Sequence, residues 1–412
     1  MRLLIYGYNY APELTGIGRY TGEMGAWLAA RGHQVTVLTG LPYYPEWRVH
    51  PAYRNKRWMR EWRDSVEVLR SPFYVPAKVT GIKRVLLELT FGVSCLYWWP
   101  QIFSRRWDVV VSICPPLLTG FFPLLLAWKQ GISFMLHFQD LQLEAARKLG
   151  ILQHGGLLAS LERLDHFFLT RADMITAISD GMLARLRDNG GPALRLSLMP
   201  NWADLESIRP VPRHNRLRKE FGFGSEVLVL YAGNMGEKQG LEVILESAAM
   251  TAARPDIRYV LAGEGATKAR IMESAEKRSL KNVLFLPLQP AKRFPLLLAI
   301  GDIHLVIQKT RVSDLVMPSK LTNILAAGRP FIATALPGTE LARVTEESQA
   351  GLLVAPEDRD ALAHAILKLA DGKVLRQDMG KKARRYAEAH LSRDVILSRL
   401  EDILLGLARP RG

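Results

Sequence analysis

Residues 233–240 form a glycine-rich segment with a lysine, placed between an apolar run and a helical pattern. Asn234, Gly236 and Lys238 are its candidate ligand-binding residues. Glycines let a backbone approach a ligand closely, and the N-terminus of a helix offers free N–H groups that attract anions. The Gly-Lys-Ser/Thr pattern of nucleotide hydrolysis is missing from the segment. It therefore predicts a cradle for a diphosphate, and the plain alternative is a surface lysine.

A second segment, residues 318–323, begins with proline and opens another helical pattern, as is typical of a first helical turn. Ser319 can cap this helix or donate to an anion, and Lys320 adds charge where the helix dipole is already positive. Gly263 and Glu264 follow another apolar run, where a glycine permits close approach and a carboxylate can bind hydroxyls. These segments together predict a site for two phosphates, although Gly263 and Glu264 also suit a simple tight turn.

The first half of the chain has its own glycine turn before a helical pattern. Gly16 and Gly18 flank Ile17 there, and these three residues are candidates for binding a ligand. Thr21 stands where a dinucleotide fingerprint would require its last glycine, so that fingerprint fails. Glycines of a tight turn without any ligand are the alternative interpretation.

His137 and Asp140 lie at the end of the apolar run 134–138. Folds with parallel sheets place ligands outside the carboxyl ends of buried strands. Both residues are therefore candidate catalytic groups. A core histidine that is satisfied by the backbone is the alternative.

The elements that must position these residues follow a regular order. Apolar runs alternate with helical patterns from residue 3 to 178 and again from 227 to 333. This alternation predicts parallel sheets covered by helices on both faces, an α/β fold. A proline-rich stretch at 200–212 separates the two series. We predict two doubly wound, Rossmann-like domains facing across a cleft, over 1–203 and 204–390, with a helix at 391–412 that packs back on the first.

The chain has 412 residues and a formal net charge of +15. Such a charge implies an anionic partner, which can be nucleic acid, a lipid surface or a phosphorylated substrate. The basic residues cluster at 54–63, 209–219 and 381–385, and Trp58 and Trp62 stand within the first cluster. Cations with tryptophan suit an anionic lipid boundary, whereas a solvated surface is the alternative for any one cluster.

Residues 85–103 are apolar and aromatic, but Glu88 and Pro100 interrupt them. The segment is too broken for a span of ~20 apolar residues, so it predicts either a core helix or a helix lying in the membrane interface. The chain has two cysteines, Cys95 and Cys114, without metal-ligand spacing. We expect no metal, no disulfide, and a reducing cytoplasmic location.

Several segments, taken in order along nearly the whole chain, resemble glycosyltransferase family 4. They are residues 8–18 (YNYAPELTGIG), 30–35, 42–45, 200–202, 233–242 and 318–325. The resemblance implies a GT-B fold and a metal-independent transfer that retains the anomeric configuration. It implies that the nucleotide-sugar donor, which is a substrate rather than a cofactor, binds mainly at the candidates of the second domain. It implies that the acceptor binds on the first domain, at Gly16, Ile17 and Gly18.

The sequence departs from this family at the donor site. The family's Glu-x7-Glu pattern maps onto Leu315 and Asn323, so both carboxylates are missing here. Asp314, one residue before the first position, is the candidate substitute. Asn323 is the candidate for recognising the ribose.

Two further family motifs also differ. The arginine and lysine of the family's glycine turn map onto Asn234 and Gln239, which leaves Lys238, displaced by one position, as the candidate for the diphosphate. The family's His-Asp pair maps onto residues 139–140, Gln-Asp, with His137 two residues earlier. Which of these three side chains faces the sugar stays open.

The resemblance implies a transferase of exopolysaccharide biosynthesis of the colanic acid type, and it favours GDP-fucose as donor. Its acceptor would be a lipid-diphosphate-linked sugar, met by a protein that binds peripherally to the inner, anionic face of the cytoplasmic membrane. Three alternatives are a sugar-nucleotide epimerase of the same fold, a non-catalytic scaffold of a polysaccharide assembly complex, and a nucleic-acid binder. Only charge motivates the last, since no helix-turn-helix, RNP or zinc signature accompanies it.

Overall fold

A computed structural model describes residues 1–13, 16–77, 81–114, 120–141, 155–310 and 319–408. The chain divides into two units, and each is built on its own sheet. The first unit comprises Met1–Pro200 together with Leu397–Gly412, and the second unit comprises Asn201–Ile396. The boundary falls at the start of the proline-rich stretch that separates the two series of apolar runs.

The first unit has an eight-stranded sheet with the strand order β3-β4-β2-β1-β5-β6-β7-β8. Every neighbouring pair is parallel except β3 and β4, which pair antiparallel at the edge. The strands are β1 Arg2–Tyr6, β2 Gln34–Gly40, β3 Met59–Arg63, β4 Val66–Ser71, β5 Val109–Cys114, β6 Ser133–Phe138, β7 Met174–Ala177 and β8 Leu196–Leu198.

Helices connect these strands, because parallel neighbours require crossover connections. The helices of the first unit are α1 Gly16–Ala30, α2 Gly81–Cys95, α3 Trp99–Ser104, α4 Phe121–Gln130, α5 Gly155–Leu169 and α6 Asp180–Gly190. A core of aliphatic and aromatic side chains, including Leu4, Phe91 and Phe134, fills the space between helices and sheet. The last helix of the chain, given below, also contributes to this unit.

The second unit has a six-stranded, fully parallel sheet with the order β11-β10-β9-β12-β13-β14. Its strands are β9 Val227–Ala232, β10 Ile257–Ala262, β11 Val283–Leu286, β12 Ile303–Val306, β13 Phe331–Thr334 and β14 Gly351–Val354. The strand order reverses between β9 and β12, and such a switch point is where open α/β sheets bind ligands, outside the carboxyl ends of the strands.

The helices of the second unit cover both faces of its sheet. They are α7 Arg216–Glu220, α8 Glu242–Met250, α9 Lys268–Lys277, α10 Phe294–Ile300, α11 Ser319–Ala326, α12 Glu340–Ser348, α13 Arg359–Asp371 and α14 Lys373–His390. Short 3-10 turns occur at Pro51–Tyr53 in the first unit and at Ala291–Arg293 in the second. One fully parallel sheet and one sheet that is parallel except at its edge, both with connecting helices, confirm the predicted α/β fold class.

The final helix, α15, runs over Arg393–Ala408, and its part from Leu397 belongs to the first unit. Glu401 forms ion pairs with Arg31 and His33 there, at 2.9 and 2.8 Å. Ser133 Oγ donates to the carbonyl of Leu407 at 2.9 Å. These contacts tie the end of the chain to the sheet of the first unit.

Segment 85–103 forms the end of α2, a turn and α3. Leu87, Phe91 and Cys95 on α2 are fully or almost fully buried, so one face of the helix belongs to the core. Leu89 and Val93 lie on another face and are exposed. Within the described ranges, every helix is too short or too polar to cross a bilayer.

Candidate active site

Two glycine turns of the second unit are hydrogen-bonded to each other where β9 and β10 end. The N–H of Gly233 donates to Ala262 O at 2.9 Å, and the N–H of Met235 donates to Glu264 O at 2.8 Å. Backbone hydrogen bonds therefore hold the two turns together at the carboxyl edge of the sheet.

Only glycine fits at two positions of this contact. A Cβ on Gly263 would lie 1.9 Å from Gly233 O, and a Cβ on Gly265 would lie 2.3 Å from Met235 O. Both residues also have a positive φ, of 151° and 155°, which side chains rarely adopt. Gly263 thus has a packing role that explains its presence even without a ligand.

Lys320, in the first turn of α11, reaches these glycine turns. Its Nζ donates to Tyr231 Oη at 2.8 Å and lies 4.1 Å from the centroid of that ring. A Cβ on Gly233 would lie 3.4 Å from the same Nζ, so the amine sits directly beside the turn. Lys320 is half-buried as a whole residue, and burial of its amine lowers the pKa to about 7.

The surroundings of this amine favour an anionic ligand. Among the described residues, no carboxylate forms an ion pair with Lys320, and burial alone shifts its pKa. A buried ammonium is costly unless a negative charge compensates it. A phosphate beside the glycine turn would supply that charge and would restore the protonated amine.

The other predicted residues of the glycine turn have different surroundings. The N–H of Gly236 donates to Gln239 Oε1 at 3.1 Å, so the free N–H that the sequence suggested at this position already has a partner. The carbonyl of Asn234 accepts from Tyr231 Oη at 2.6 Å, while the side chain of Asn234 is exposed. Lys238 is exposed as well, and no ion pair to it occurs within the described part of the chain.

Lys309 is a residue of this site that sequence reasoning missed. Its N–H donates to Lys238 O at 3.1 Å, and its Nζ lies 3.8 Å from the carboxylate of Glu237. A Cβ on Gly240 would lie 2.8 Å from Lys309 Cγ, so the lysine stem packs on the turn. The available signal was its position just after β12, at the same carboxyl edge as the glycine turns.

The remaining donor-site candidates are placed as follows. Glu264 is exposed and pairs with Lys268 at 2.6 Å, which occupies one of its oxygens. Ser319 is the first residue of α11. Asn323 is half-buried and lies three residues after Lys320, on the same side of that helix. Asp314 and Leu315 lie outside the described residues.

His137, predicted as a catalytic group, is buried to 1% exposure inside the first unit. Its Nδ1 is 2.9 Å from Thr176 Oγ1, and its Nε2 accepts from Gln139 Nε2 at 2.8 Å. Burial lowers its pKa to about 4, so the ring is neutral near pH 7. Contact with a substrate does not fit this burial, and the geometry instead makes His137 a positioning residue for Gln139.

Asp140 directly follows this pair and is half-buried. Gln139 is buried to 8% exposure, with its amide held by the histidine ring. Asp140 is therefore the most exposed of the three residues at the end of β6, while His137 and Gln139 are both buried. Which of them contacts a sugar stays a prediction.

The turn before α1 is organised by Glu13, whose role the sequence did not reveal. Glu13 accepts from Asn9 Nδ2 at 2.9 Å and from the N–H groups of Tyr43 and Tyr44 at 3.1 Å each. Burial raises its pKa to about 7. A Cβ on Gly18 would lie 2.2 Å from Glu13 Oε2, so Gly18 is required for packing.

Gly16 and Ile17 differ from Gly18 in exposure. Gly16 is exposed with a φ of 63°, and Ile17 is half-buried. These two residues, and not the buried Gly18, offer surface to an acceptor. In the described residues, no group of three or more His, Cys, Asp and Glu side chains is arranged to hold a metal ion.

Two doubly wound α/β units, one of them with interlocked glycine turns and a buried lysine at the carboxyl edge of its sheet, define the GT-B class of glycosyltransferases. Residues 15–202 match the family described as glycosyl transferase 4-like domain, and residues 214–386 match glycosyl transferases group 1. The chain belongs to glycosyltransferase family 4 and is a glycosyltransferase.

A curated relative covers almost the whole chain. The chain is 38% identical, over 96% of its length and 98% of the relative's, to a protein of Escherichia coli (strain K12) described as the colanic acid biosynthesis glycosyl transferase WcaI. This likeness is high enough to establish the family for the full length of both proteins.

Solved structures with the same fold are more distant in sequence. Sucrose-phosphate synthase from Thermosynechococcus elongatus superposes with a TM-score of 0.75 at 20% identity, covering 98% of both chains. HepE from Anabaena, in complex with UDP, superposes with a TM-score of 0.72 at 14% identity, covering 98% of this chain and all of the other. At these identities the likeness concerns the fold alone.

Proposed function

We propose that this glycosyltransferase moves a sugar, with retention at the anomeric carbon and without a metal, from a nucleotide sugar to a lipid-diphosphate-linked acceptor. The observation that carries the donor assignment is the buried amine of Lys320 beside the glycine turn at Gly233. The similarity to WcaI over 96% of the chain supports a place in exopolysaccharide biosynthesis of the colanic acid type.

The second unit holds the donor diphosphate in this proposal. Lys320 places a positive charge beside the backbone of the glycine turn at Gly233. The exposed Lys238, a residue of that glycine turn, provides a second cation. Asn323, on the same side of α11, binds the ribose. Positive groups fixed in advance around a developing charge usually supply the largest share of catalysis in such transfers.

The chemical step breaks the bond between the anomeric carbon and the diphosphate oxygen. The negative charge that develops on the leaving diphosphate is neutralised by Lys320 and Lys238. The acceptor hydroxyl attacks from the face that the diphosphate leaves, and its proton passes to the leaving phosphate oxygen. A covalent double displacement would need a carboxylate pair about 5–5.5 Å apart, and nothing in the sequence supports such a pair.

The first unit contributes groups for the sugar and the acceptor. Asp140 and Gln139 position the transferred sugar, with the amide of Gln139 oriented by His137. Gly16 and Ile17 offer backbone and apolar surface to the acceptor. GDP-fucose is our first choice of donor, on the family resemblance.

The lipid-linked acceptor calls for a membrane-binding surface, which we assign to the exposed side of α2 and its neighbours. Leu86, Leu89 and Val93, at helical spacing, are 44%, 46% and 67% exposed. Tyr97, after the helix, lies 5.2 Å ring to ring from Trp58, whose Nε1 donates to Ser94 O on α2 at 2.8 Å. Apolar and aromatic side chains on one side of a helix suit the headgroup boundary of a bilayer.

Basic side chains next to Trp58 favour an anionic lipid surface over another protein. Arg54, Lys56 and Arg57 are exposed, and the described residues offer them no carboxylate partner. Each such cation contributes roughly 1 kcal/mol to binding near an anionic bilayer. This surface supports peripheral binding to the inner face of the cytoplasmic membrane.

A donor screen tests the proposed reaction. Purified protein is incubated with UDP- and GDP-sugars, with or without a bacterial lipid extract, in the presence or absence of EDTA. We expect one donor to be consumed only when the lipid extract is present, with equal rates in EDTA. Loss of the reaction in EDTA would contradict the metal-free mechanism.

Two other outcomes would replace the proposal. Conversion of a donor without any acceptor would identify an epimerase. Donor binding without turnover on any lipid extract would identify a scaffold, which the missing Glu-x7-Glu pair at Leu315 and Asn323 motivates. The anomeric configuration of the product, read from proton NMR coupling constants, tests retention separately.

A further inference from the structure

The second unit has a cavity of about 1030 Å³ at the sheet edge opposite the glycine turns. Asp302 and Pro330, which directly precede β12 and β13, line it, so it lies at the amino ends of these strands. The glycine turns lie at the carboxyl ends of β9 and β10. The cavity is therefore a different place from the donor site.

Two basic stretches that are far apart in sequence meet at this cavity. Arg213 comes from the stretch 209–219, and Lys381 and Arg385 come from the stretch 381–385 on α14. Lys373 and Arg376, earlier on α14, join them in the wall. The sequence predicted an anionic partner for the basic clusters and left a solvated surface as the alternative for any one of them. The fold brings charges from two of these stretches around one space.

Negative charge in the wall is scarce. Of the described residues that line the cavity, Asp302 carries the only carboxylate. That carboxylate is already shared between Arg213, at 2.9 Å, and Arg218, at 3.3 Å. Lys373, Lys381 and Arg385 are exposed to the cavity and form no ion pair with any described residue.

Buried donors in the same wall also lack acceptors. Nε of Arg329 and Nε of Arg213 are out of contact with solvent, and neither has a hydrogen-bond partner among the described residues. Since no solvent reaches these two atoms, a ligand in the cavity does not contact them directly. Their unsatisfied N–H groups leave positive charge behind the wall without compensation, which favours an anion in the cavity. Burial also lowers the pKa of Arg329, as expected for a buried cation whose charge is not fully balanced by carboxylates.

The fold holds the cationic helix close to the cavity. A Cβ on Gly380 would lie 2.6 Å from Gly328 O, so α14 can pack this closely only with glycine there. Arg384 fixes the packing by donating to the carbonyls of Ile208 and Ala326, at 3.0 and 2.9 Å. Like charges four residues apart on a helix, as at Lys381 and Arg385, repel each other unless an anion lies between them.

We propose that this cavity binds a small polyanion that carries two or more phosphate groups, either free or as a lipid headgroup. Its volume suits a ligand larger than one phosphate, since small-molecule sites span about 300–1,000 Å³. Guanidinium and ammonium groups make short, charge-assisted hydrogen bonds to phosphate oxygens, and the donors of this wall are of both kinds.

Calorimetric titration of the full chain with inorganic tripolyphosphate tests the site. Excess UMP and GMP, which carry a single phosphate and so fall outside the ligand class proposed for this cavity, are present to occupy the donor site. Salt near physiological strength screens charges more than about 8 Å apart. The wild type should bind about one equivalent. Lys381→Gln combined with Arg385→Gln should weaken binding by about tenfold or more, since each phosphate contact removed is charge-assisted.

Arg278→Gln combined with Lys281→Gln is the matched control. It removes the same two charges from exposed positions of the same unit that do not line the cavity. Its affinity for tripolyphosphate should stay within about twofold of the wild type, because this control loses no contact inside the cavity. Equal weakening in both double variants, or none in either, would overturn the proposal.

Vesicles of cardiolipin in phosphatidylcholine distinguish the two sources of phosphate. Displacement of tripolyphosphate by these vesicles from the wild type assigns the site to a lipid headgroup. Retention of tripolyphosphate assigns it to a free polyphosphate compound. In both cases the site stands only if the Lys381 and Arg385 variant lowers tripolyphosphate affinity and its control does not.

Discussion

At the scale of single residues, the central feature is the amine of Lys320, which is shielded from solvent beside the glycine turn at Gly233. Lys320 has Tyr231 as its hydrogen-bond partner, and burial lowers its pKa to about 7. An amine of this kind changes its charge when an anion arrives, because the anion favours the protonated form. Binding of the donor and uptake of a proton are then coupled.

We predict that binding of UDP or GDP takes up a proton at pH 8. The free amine is mostly neutral there, since its pKa is about 7, and the diphosphate raises that pKa in the complex. Affinity should therefore fall as pH rises above 7. Calorimetry in buffers of different ionisation enthalpy measures the uptake, and an enthalpy that is independent of the buffer would contradict the prediction.

Glu88 on α2 is a second buried titratable group. Burial raises its pKa to about 8, whereas the unfolded chain has the ordinary value near 4.5. The folded state therefore binds more protons than the unfolded state between these values, and stability falls as pH rises through that window. Glu88→Gln should remove this dependence and stabilise the protein at pH 8 by about 2–4 kcal/mol.

The measurement is the free energy of unfolding of the first unit in urea, from about pH 5 to pH 9. Glu276→Gln, at an exposed glutamate of α9, is the control and should leave the pH profile unchanged. A Glu88→Gln protein that still loses stability over this window, as steeply as the wild type, would show that Glu88 is not the group responsible.

At the scale of elements, the apolar strands were predictable, while the polar ones were not. Apolar runs such as 109–112 and 227–231 mark strands because both faces of a parallel sheet are buried. The edge strand Met59–Arg63 and its neighbour Val66–Ser71 escaped prediction. The second is fully buried although it carries Glu67 and Arg70, because Arg105 and Glu61 pair with them. Such pairing over long distances in sequence has no local signal.

The same contrast applies to the site. The glycines of the two turns and Lys320 lie in short motifs that can be recognised in the sequence. The structure brings them together at the carboxyl edge of the second unit's sheet. Tyr231 and Lys309 were missed because their contacts join separate loops. The burial of His137 against Thr176 could not be predicted, because alternation along a strand does not tell which polar side chain packs against a neighbouring strand.

The interlocked glycine turns give an element-scale prediction. Gly263→Ala places a Cβ 1.9 Å from Gly233 O, so the two turns must separate. We expect a loss of roughly 3 kcal/mol or more in the second unit, together with loss of donor binding. Thermal unfolding and nucleotide titration measure the two effects.

Gly222→Ala is the matched control for this change. Its φ of 70° is also positive, but a Cβ there meets nothing within 4 Å. Only backbone strain of about 1 kcal/mol is expected, with nucleotide binding retained. Equal losses in the two variants would mean that strain, and not contact between the turns, explains the glycines.

At the scale of the whole molecule, the charge of +15 is concentrated in a few places rather than spread evenly. Residues 54–63 lie near the exposed apolar side of α2, and the stretches 209–219 and 381–385 meet at the polyanion cavity. The two anionic partners that we propose, a lipid surface and a small polyanion, would meet these stretches, and the charge lends no separate support to a nucleic-acid partner.

The membrane surface can be tested by one substitution. Val93→Glu puts a negative charge on the exposed side of α2 and should lower binding to vesicles of phosphatidylglycerol and phosphatidylcholine by about tenfold. Leu288→Glu, at a leucine of the second unit that is 69% exposed and does not line the polyanion cavity, should have little effect. Vesicle co-sedimentation measures both, and equal binding of Val93→Glu and wild type would contradict the assignment of this surface.

The most direct test of the central claim is the initial rate of sugar transfer from the nucleotide donor into lipid by Lys320→Met. Lys281→Met, at an exposed lysine of the same unit, is its control. We predict that Lys320→Met lowers the rate by about 100-fold or more, while it folds normally by circular dichroism and the control keeps its rate. Full transfer by Lys320→Met would contradict the claim that this buried amine neutralises the leaving diphosphate.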